Sequence, residues 1–131
     1  MFNKKKQPPI KSLIAADSQI DGNLQFRDGL RVDGTLIGNI HANAEHTSIL
    51  VISETATVTG EVHADHIIVN GAVNGPIHAR VLLELQPKAR ICGDVHYAAL
   101  EMHQGALIAG QLRPDLAAEE KPTLTLAANN G

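Results

Sequence analysis

Six times the chain repeats an apolar residue, any residue, Gly, any residue and an apolar residue. The copies are Ile20-Gly22-Leu24, Leu36-Gly38-Ile40, Val58-Gly60-Val62, Val73-Gly75-Ile77, Ile91-Gly93-Val95 and Ile108-Gly110-Leu112. The glycines lie 16, 22, 15, 18 and 17 residues apart. A repeat this short cannot bury an apolar face alone, so each copy must stack on its neighbours. The chain is therefore expected to be a solenoid, an architecture suited to binding, scaffolding or assembly more than to enclosing a catalytic pocket.

Apolar residues alternate within each copy, which is the period of a strand and not of a helix. A second strand signal follows most copies: Leu30-x-Val32, Leu50-x-Ile52, Ile67-x-Val69, Leu83-x-Leu85 and Leu100-x-Met102. The link to the next copy takes two forms. Asp33-Gly34 and Asn70-Gly71 are tight-turn pairs, whereas the other links run through Ala56, Ala89 or Ala106. The rungs around Asp33 and Asn70 match over nine residues and lie 37 residues apart, so a two-coil unit recurs. Short strands in turns of about 18 residues predict a triangular parallel β-helix of five to six coils, stacked about 4.8 Å apart. The 22-residue interval predicts a bulged loop at Asn43 to Thr47. Hexapeptide β-helices set an aliphatic residue before each glycine; only Ile37 fits, which argues against that class.

The 131 residues allow one domain. Phe2, Phe26 and Tyr97 are the only aromatic residues, so Ile, Val, Leu and Ala must fill the interior. Cys92 is the sole cysteine, compatible with a reducing compartment. No run reaches the length of a membrane span and no apolar leader follows the basic start, so a cytoplasmic chain is expected. The first eleven residues carry +4 through Lys4, Lys5, Lys6 and Lys11, leaving −7 for the rest. An acidic body argues against nucleic acid along the solenoid faces.

The series Leu30-Arg-Val-Asp-Gly-Thr-Leu-Ile-Gly-Asn-Ile40, Ile68-Val-Asn-Gly-Ala-Val-Asn-Gly-Pro-Ile77 and Gly105-Ala-Leu-Ile-Ala-Gly110 resembles the bactofilins, a family of bacterial cytoskeletal proteins. The resemblance covers about Ile14 to Arg113. It implies a right-handed triangular parallel β-helix at 13–113 that polymerises end to end without nucleotide. It also implies a basic N-terminal tail at 1–12 and a C-terminal tail at 114–131, both disordered. Family members associate with the inner face of the cytoplasmic membrane and position cell-wall synthesis or hydrolysis proteins, cell-shape factors or chromosome proteins. No enzyme activity and no cofactor are implied.

Physical reasoning reaches assembly separately. A β-helix has unpaired strand edges and an uncovered slice of core at each end unless a cap closes it. The end coils read as apolar as the middle: Leu13, Ile14, Ile20, Leu24 and Phe26 at one end, Leu107, Ile108 and Leu112 at the other. These are the candidate polymer interfaces, although Ile108 stands where the family often has an aromatic residue. A discrete adaptor that binds partners without polymerising is the alternative. The tip Met1-Phe2-Asn3-Lys4-Lys5-Lys6 sets one insertable aromatic beside three cations, and Pro8-Pro9 bars a helix, making it a candidate membrane attachment.

Four histidines, His41, His63, His78 and His96, each follow a repeat glycine by three residues. Alternation turns them outward as a column on the central coils, with Gln25 and Arg113 in the outer copies. The plain reading is an exposed polar face; the sharper ones are a shared zinc or nickel ion, or mutual repulsion on protonation. No acid or sulfur ligand is expected in that column. Cys92 is expected to face outward with no orienting acid, and Asp33, Asp65 and Asp94 to lie at turns and edges, which argues against catalysis.

Overall fold

The computed structural model describes residues 9–115, all of them strand or connection with no helix. The segments Met1–Pro8 and 116–131, with the expected tail character and membrane tip, lie outside the described residues. Sixteen strands wind into a parallel β-solenoid of about six coils with three ladders. The first ladder stacks β2 (Gln19–Asp21), β5 (Thr35–Ile37), β8 (Thr57–Thr59), β10 (Ala72–Asn74), β12 (Arg90–Cys92) and β15 (Leu107–Ala109). The second stacks β3 (Leu24–Phe26), β6 (Ile40–Ala42), β9 (Val62–Val69), β11 (Ile77–Leu85), β13 (Val95–Tyr97) and β16 (Leu112–Pro114). The third stacks β1 (Ser12–Ile14), β4 (Gly29–Val32), β7 (Ile49–Ile52), the second halves of β9 and β11, and β14 (Leu100–Met102).

Register places like on like. Ile20, Leu36, Val58, Val73, Ile91 and Ile108 form one inward column. Leu24, Ile40, Val62, Ile77, Val95 and Leu112 form another, and the central members of both are fully buried. Alternation along each strand sends every second residue into this aliphatic stack, so flat layers pack without large aromatics.

Two backbone features set the coil spacing. A Cβ at Gly60, where φ is +146°, would fall on the carbonyl of Gly38 one coil earlier. The same collision recurs up the column, so glycine is required where successive corners touch. At the longer corners, buried Ala56, Ala89 and Ala106 turn through N–H bonds to the carbonyls of Ser53, Gln86 and His103 at 3.0–3.2 Å.

The loop Asn43 to Thr47 joins β6 to β7 and leaves Ala44 to Thr47 exposed. Ser48 anchors its far side: its N–H donates to Asp65 and its hydroxyl accepts from the Asp65 N–H, each at 3.0 Å. Asp65 therefore sits within β9, half-buried, and not at a turn as the sequence suggested. In β9 and β11 the two strands of a coil run through the corner without a break, apart from a bulge between Ala79 and Leu82. Elsewhere the same corner is sharper, and at Asp28 it needs φ of +68°. Aspartate tolerates that conformation better than most residues.

Candidate assembly surfaces and the histidine ladder

Each end of the solenoid presents three strands that lack a partner on one side among the described residues. These are β1, β2 and β3 at one end and β14, β15 and β16 at the other. The two ends differ in how much core they uncover. At the N-terminal end Ile14 and Phe26 are buried, while Ile20 and Leu24 are half-buried. An open recess of about 770 Å³ lies there, lined by Leu24, Phe26, Leu30 and Ala42 together with Lys11 and Arg27.

At the C-terminal end Ile108 is half-buried, and Leu112 and Met102 expose 47% and 46% of their surface. Met102 lies in register with fully buried Leu85, so it is a core residue awaiting a neighbour. It belongs with the candidate interface, and its place in the Leu-x-Met pair was the signal that could have marked it. Leu13 and Leu107, both 59% exposed, have other surroundings. They align with Arg31 and Arg90, so they stand on the outer sides of their strands and not in the core slice. Pro114, assigned to the C-terminal tail by the resemblance, ends β16 opposite Tyr97, and the next N–H, of Asp115, donates to the Tyr97 carbonyl at 2.7 Å. A proline is admissible there because the open edge asks for no donor.

The outward column of the second ladder runs Gln25, His41, His63, His78, His96 and Arg113, as the spacing required. Its four imidazoles stack face to face. Ring centroids are 4.4, 4.3 and 4.2 Å apart in order, with planes inclined by 14°, 8° and 8°. Half-buried His78 is held below the usual imidazole pKa, first by burial and then by the charges that His63 and His96 would carry.

The column itself holds no acid, as the sequence reading had it, but one stands beside it. Glu61 lies two residues before His63, and its carboxylate oxygen is 3.2 Å from His63 Nε2. The i, i+2 spacing, with Glu61 just ahead of β9, was the available signal. The corresponding acid two coils on, Asp94, is already engaged. It accepts from the Gln111 N–H at 2.9 Å and from Arg113 Nε at 3.0 Å, and these bonds, the backbone one first, lower its pKa. A second cluster, on the third ladder, was not foreseen: His103 Nε2 stands 3.2 Å from Glu84 and 3.9 Å from Glu101.

Cys92 is exposed on the first ladder, aligned with Asn74 and Ala109, and so is on a different ladder from His96. Asp33 lies at its tight turn, its carboxyl held below the usual range by bonds from Arg31 and then Ser53.

Comparison with known proteins agrees with this architecture. The sequence model of the family described as "Bactofilin: Polymer-forming cytoskeletal" matches residues 12–113. The chain is similar to Bactofilin BacO of Myxococcus xanthus strain DK1622, with 23% identity over 115 residues, covering 88% of each chain. No solved structure matches it. Taken with the solenoid and its open ends, the family match is decisive: the chain belongs to the bactofilins, polymer-forming proteins of the cytoskeleton.

Proposed function

We propose that the chain polymerises end to end through its terminal coils, without nucleotide, into a scaffold on the inner face of the cytoplasmic membrane. There it positions cell-wall or other morphogenetic proteins. The observation that carries the assembly is the pair of open ends: strand edges unpaired among the described residues surround core-facing Leu24, Met102, Ile108 and Leu112, none of them fully covered. Continuing the ladders across a junction pairs those edges and buries those side chains, each worth about 1.5–3 kcal/mol when fully covered. Several such residues per junction offset an association cost of about 4–15 kcal/mol. Strand pairing and apolar burial require no bound cofactor.

Membrane attachment rests on composition. Each of Lys4, Lys5 and Lys6 contributes about 1 kcal/mol near anionic lipid, and burial of Phe2 adds roughly 1.5–3 kcal/mol. Ordering costs leave a single protomer weakly bound. A filament presents many such tips together, so assembly strengthens attachment by avidity.

Negative-stain electron microscopy of wild type beside Ile108→Arg, without nucleotide, tests the assembly. Filaments in wild type that vanish in a folded variant support the terminal-coil contact. Filaments in both move the contact elsewhere, and compact particles in wild type favour the non-polymerising adaptor. Cosedimentation with anionic vesicles, comparing wild type with Phe2→Ala, tests the attachment separately.

A further inference from the structure

We propose that His41, His63 and Glu61 form a binding site for one divalent transition-metal ion of the zinc class. Adjacent rings are 4.2–4.4 Å apart, so three successive histidines span twice that distance. Zinc holds imidazole nitrogens at about 2.0–2.1 Å and carboxylate oxygens at about 2.0–2.2 Å. One ion on this column therefore draws on two neighbouring histidines and must find its third protein ligand outside the column.

Among the described residues only one pair has beside it an acid bonded to nothing but a histidine of the pair. Glu61 offers a carboxylate oxygen such that the ligand atoms of His41, Glu61 and His63 all lie within 4.8 Å of one another. The pair His78–His96 has Asp94 nearby, but both Asp94 oxygens are bonded, one to the Gln111 N–H and one to Arg113. Pro76 stands at the equivalent place in the coil between, aligned through its carbonyl with Val62, and offers no side-chain ligand.

Ring geometry points the same way. Perfectly stacked imidazoles aim their lone pairs in parallel, and a shared ion requires them to converge. The His41–His63 pair is the least parallel of the three, at 14°. Both side chains project outward from in-register strands, so a further tilt at the ring needs no backbone movement. His41 and Glu61 are exposed, leaving the remaining coordination position to water. Two imidazoles and one carboxylate suit zinc or a neighbouring first-row ion better than calcium or magnesium, which prefer all-oxygen shells.

The site is independent of assembly and is tested on untagged, full-length protein titrated with Zn²⁺ in a chelator competition, with Co²⁺ absorption reporting coordination. The expected result is one ion per protomer. Glu61→Gln should weaken binding about tenfold or more, His63→Ala should abolish it, and His96→Ala should leave it unchanged. Circular dichroism confirms that each variant keeps its strands. Absence of binding at micromolar Zn²⁺ overturns the proposal. So does binding that survives both Glu61→Gln and His63→Ala, or binding that His96→Ala removes. Loss only on Glu84→Gln would place the ion at His103 and likewise contradict it.

Discussion

The central and terminal coils set apolar residues in the same register, yet several of those at the C-terminal end lie open where their central counterparts are buried. Val62 is fully covered and Leu112, in its column, is 47% exposed; Leu85 is fully covered and Met102 is 46% exposed. Side-chain chemistry does not separate them. What differs is whether another coil lies on both sides. In this solenoid a residue's burial is a property of its neighbours' presence, so the C-terminal end is, among the described residues, a core surface without its other half. The two ends are also unequal, because Ile14 and Phe26 are already covered at the N-terminal end.

The comparison breaks most visibly at the glycines. Gly60→Ala places a methyl on the Gly38 carbonyl at positive φ, whereas Gly22→Ala, at φ +135°, meets nothing within 4 Å. The first substitution should prevent a cooperative fold or cost more than about 3 kcal/mol; the second should show only backbone strain of about 1–3 kcal/mol. Chemical denaturation of both variants checks this, and equal losses would contradict stacking as the cause.

A second contrast sets Leu50→Ala in the centre, where Leu50 is fully buried, beside Leu112→Ala at the end. The central change should cost about 2–5 kcal/mol. The terminal one should cost under about 1 kcal/mol in dispersed protein, yet raise the concentration at which filaments pellet. A terminal cost equal to the central one would mean that the end coil is covered within the protomer.

The smallest expected effect concerns pH. Folding lowers the pKa of His78 below its unfolded value of about 6.5, so the unfolded chain binds the proton first. The stability that this histidine contributes is fully present above about pH 6.5 and declines as pH falls from there toward its lowered folded value. Burial is the main cause; His63, His96 and His41 oppose the charge and Glu61 favours it. Thermal melts between about pH 7 and pH 5 should show a modest decline that His78→Gln reduces. A decline unchanged in that variant would assign it to other groups.

Much of this was legible in the sequence, for identifiable reasons. Glycine fixes the coil register, and strand alternation then fixes which residues turn out, so the histidine column could be read from spacing before its rings were seen stacked. The loop after Ala42 was legible as a length anomaly. The continuous strands β9 and β11 were not, because the corner at Asp65-His66 differs from Arg27-Asp28 in backbone conformation although both pairs carry an aspartate. Glu61 was not legible from the column alone, because it stands just ahead of β9 and meets His63 from two residues away. Leu13 and Leu107 were grouped with the end core by hydropathy alone; their phase in the alternation puts them on the outer surface.

The most direct test of open ends as assembly surfaces is a helical reconstruction of the wild-type filament by cryo-electron microscopy. The account predicts that the strand ladders continue across the junction at about 4.8 Å, with Leu112 and Met102 as fully covered as Val62 and Leu85. Filaments in which protomers pack side by side, their terminal coils still open to solvent, would contradict it.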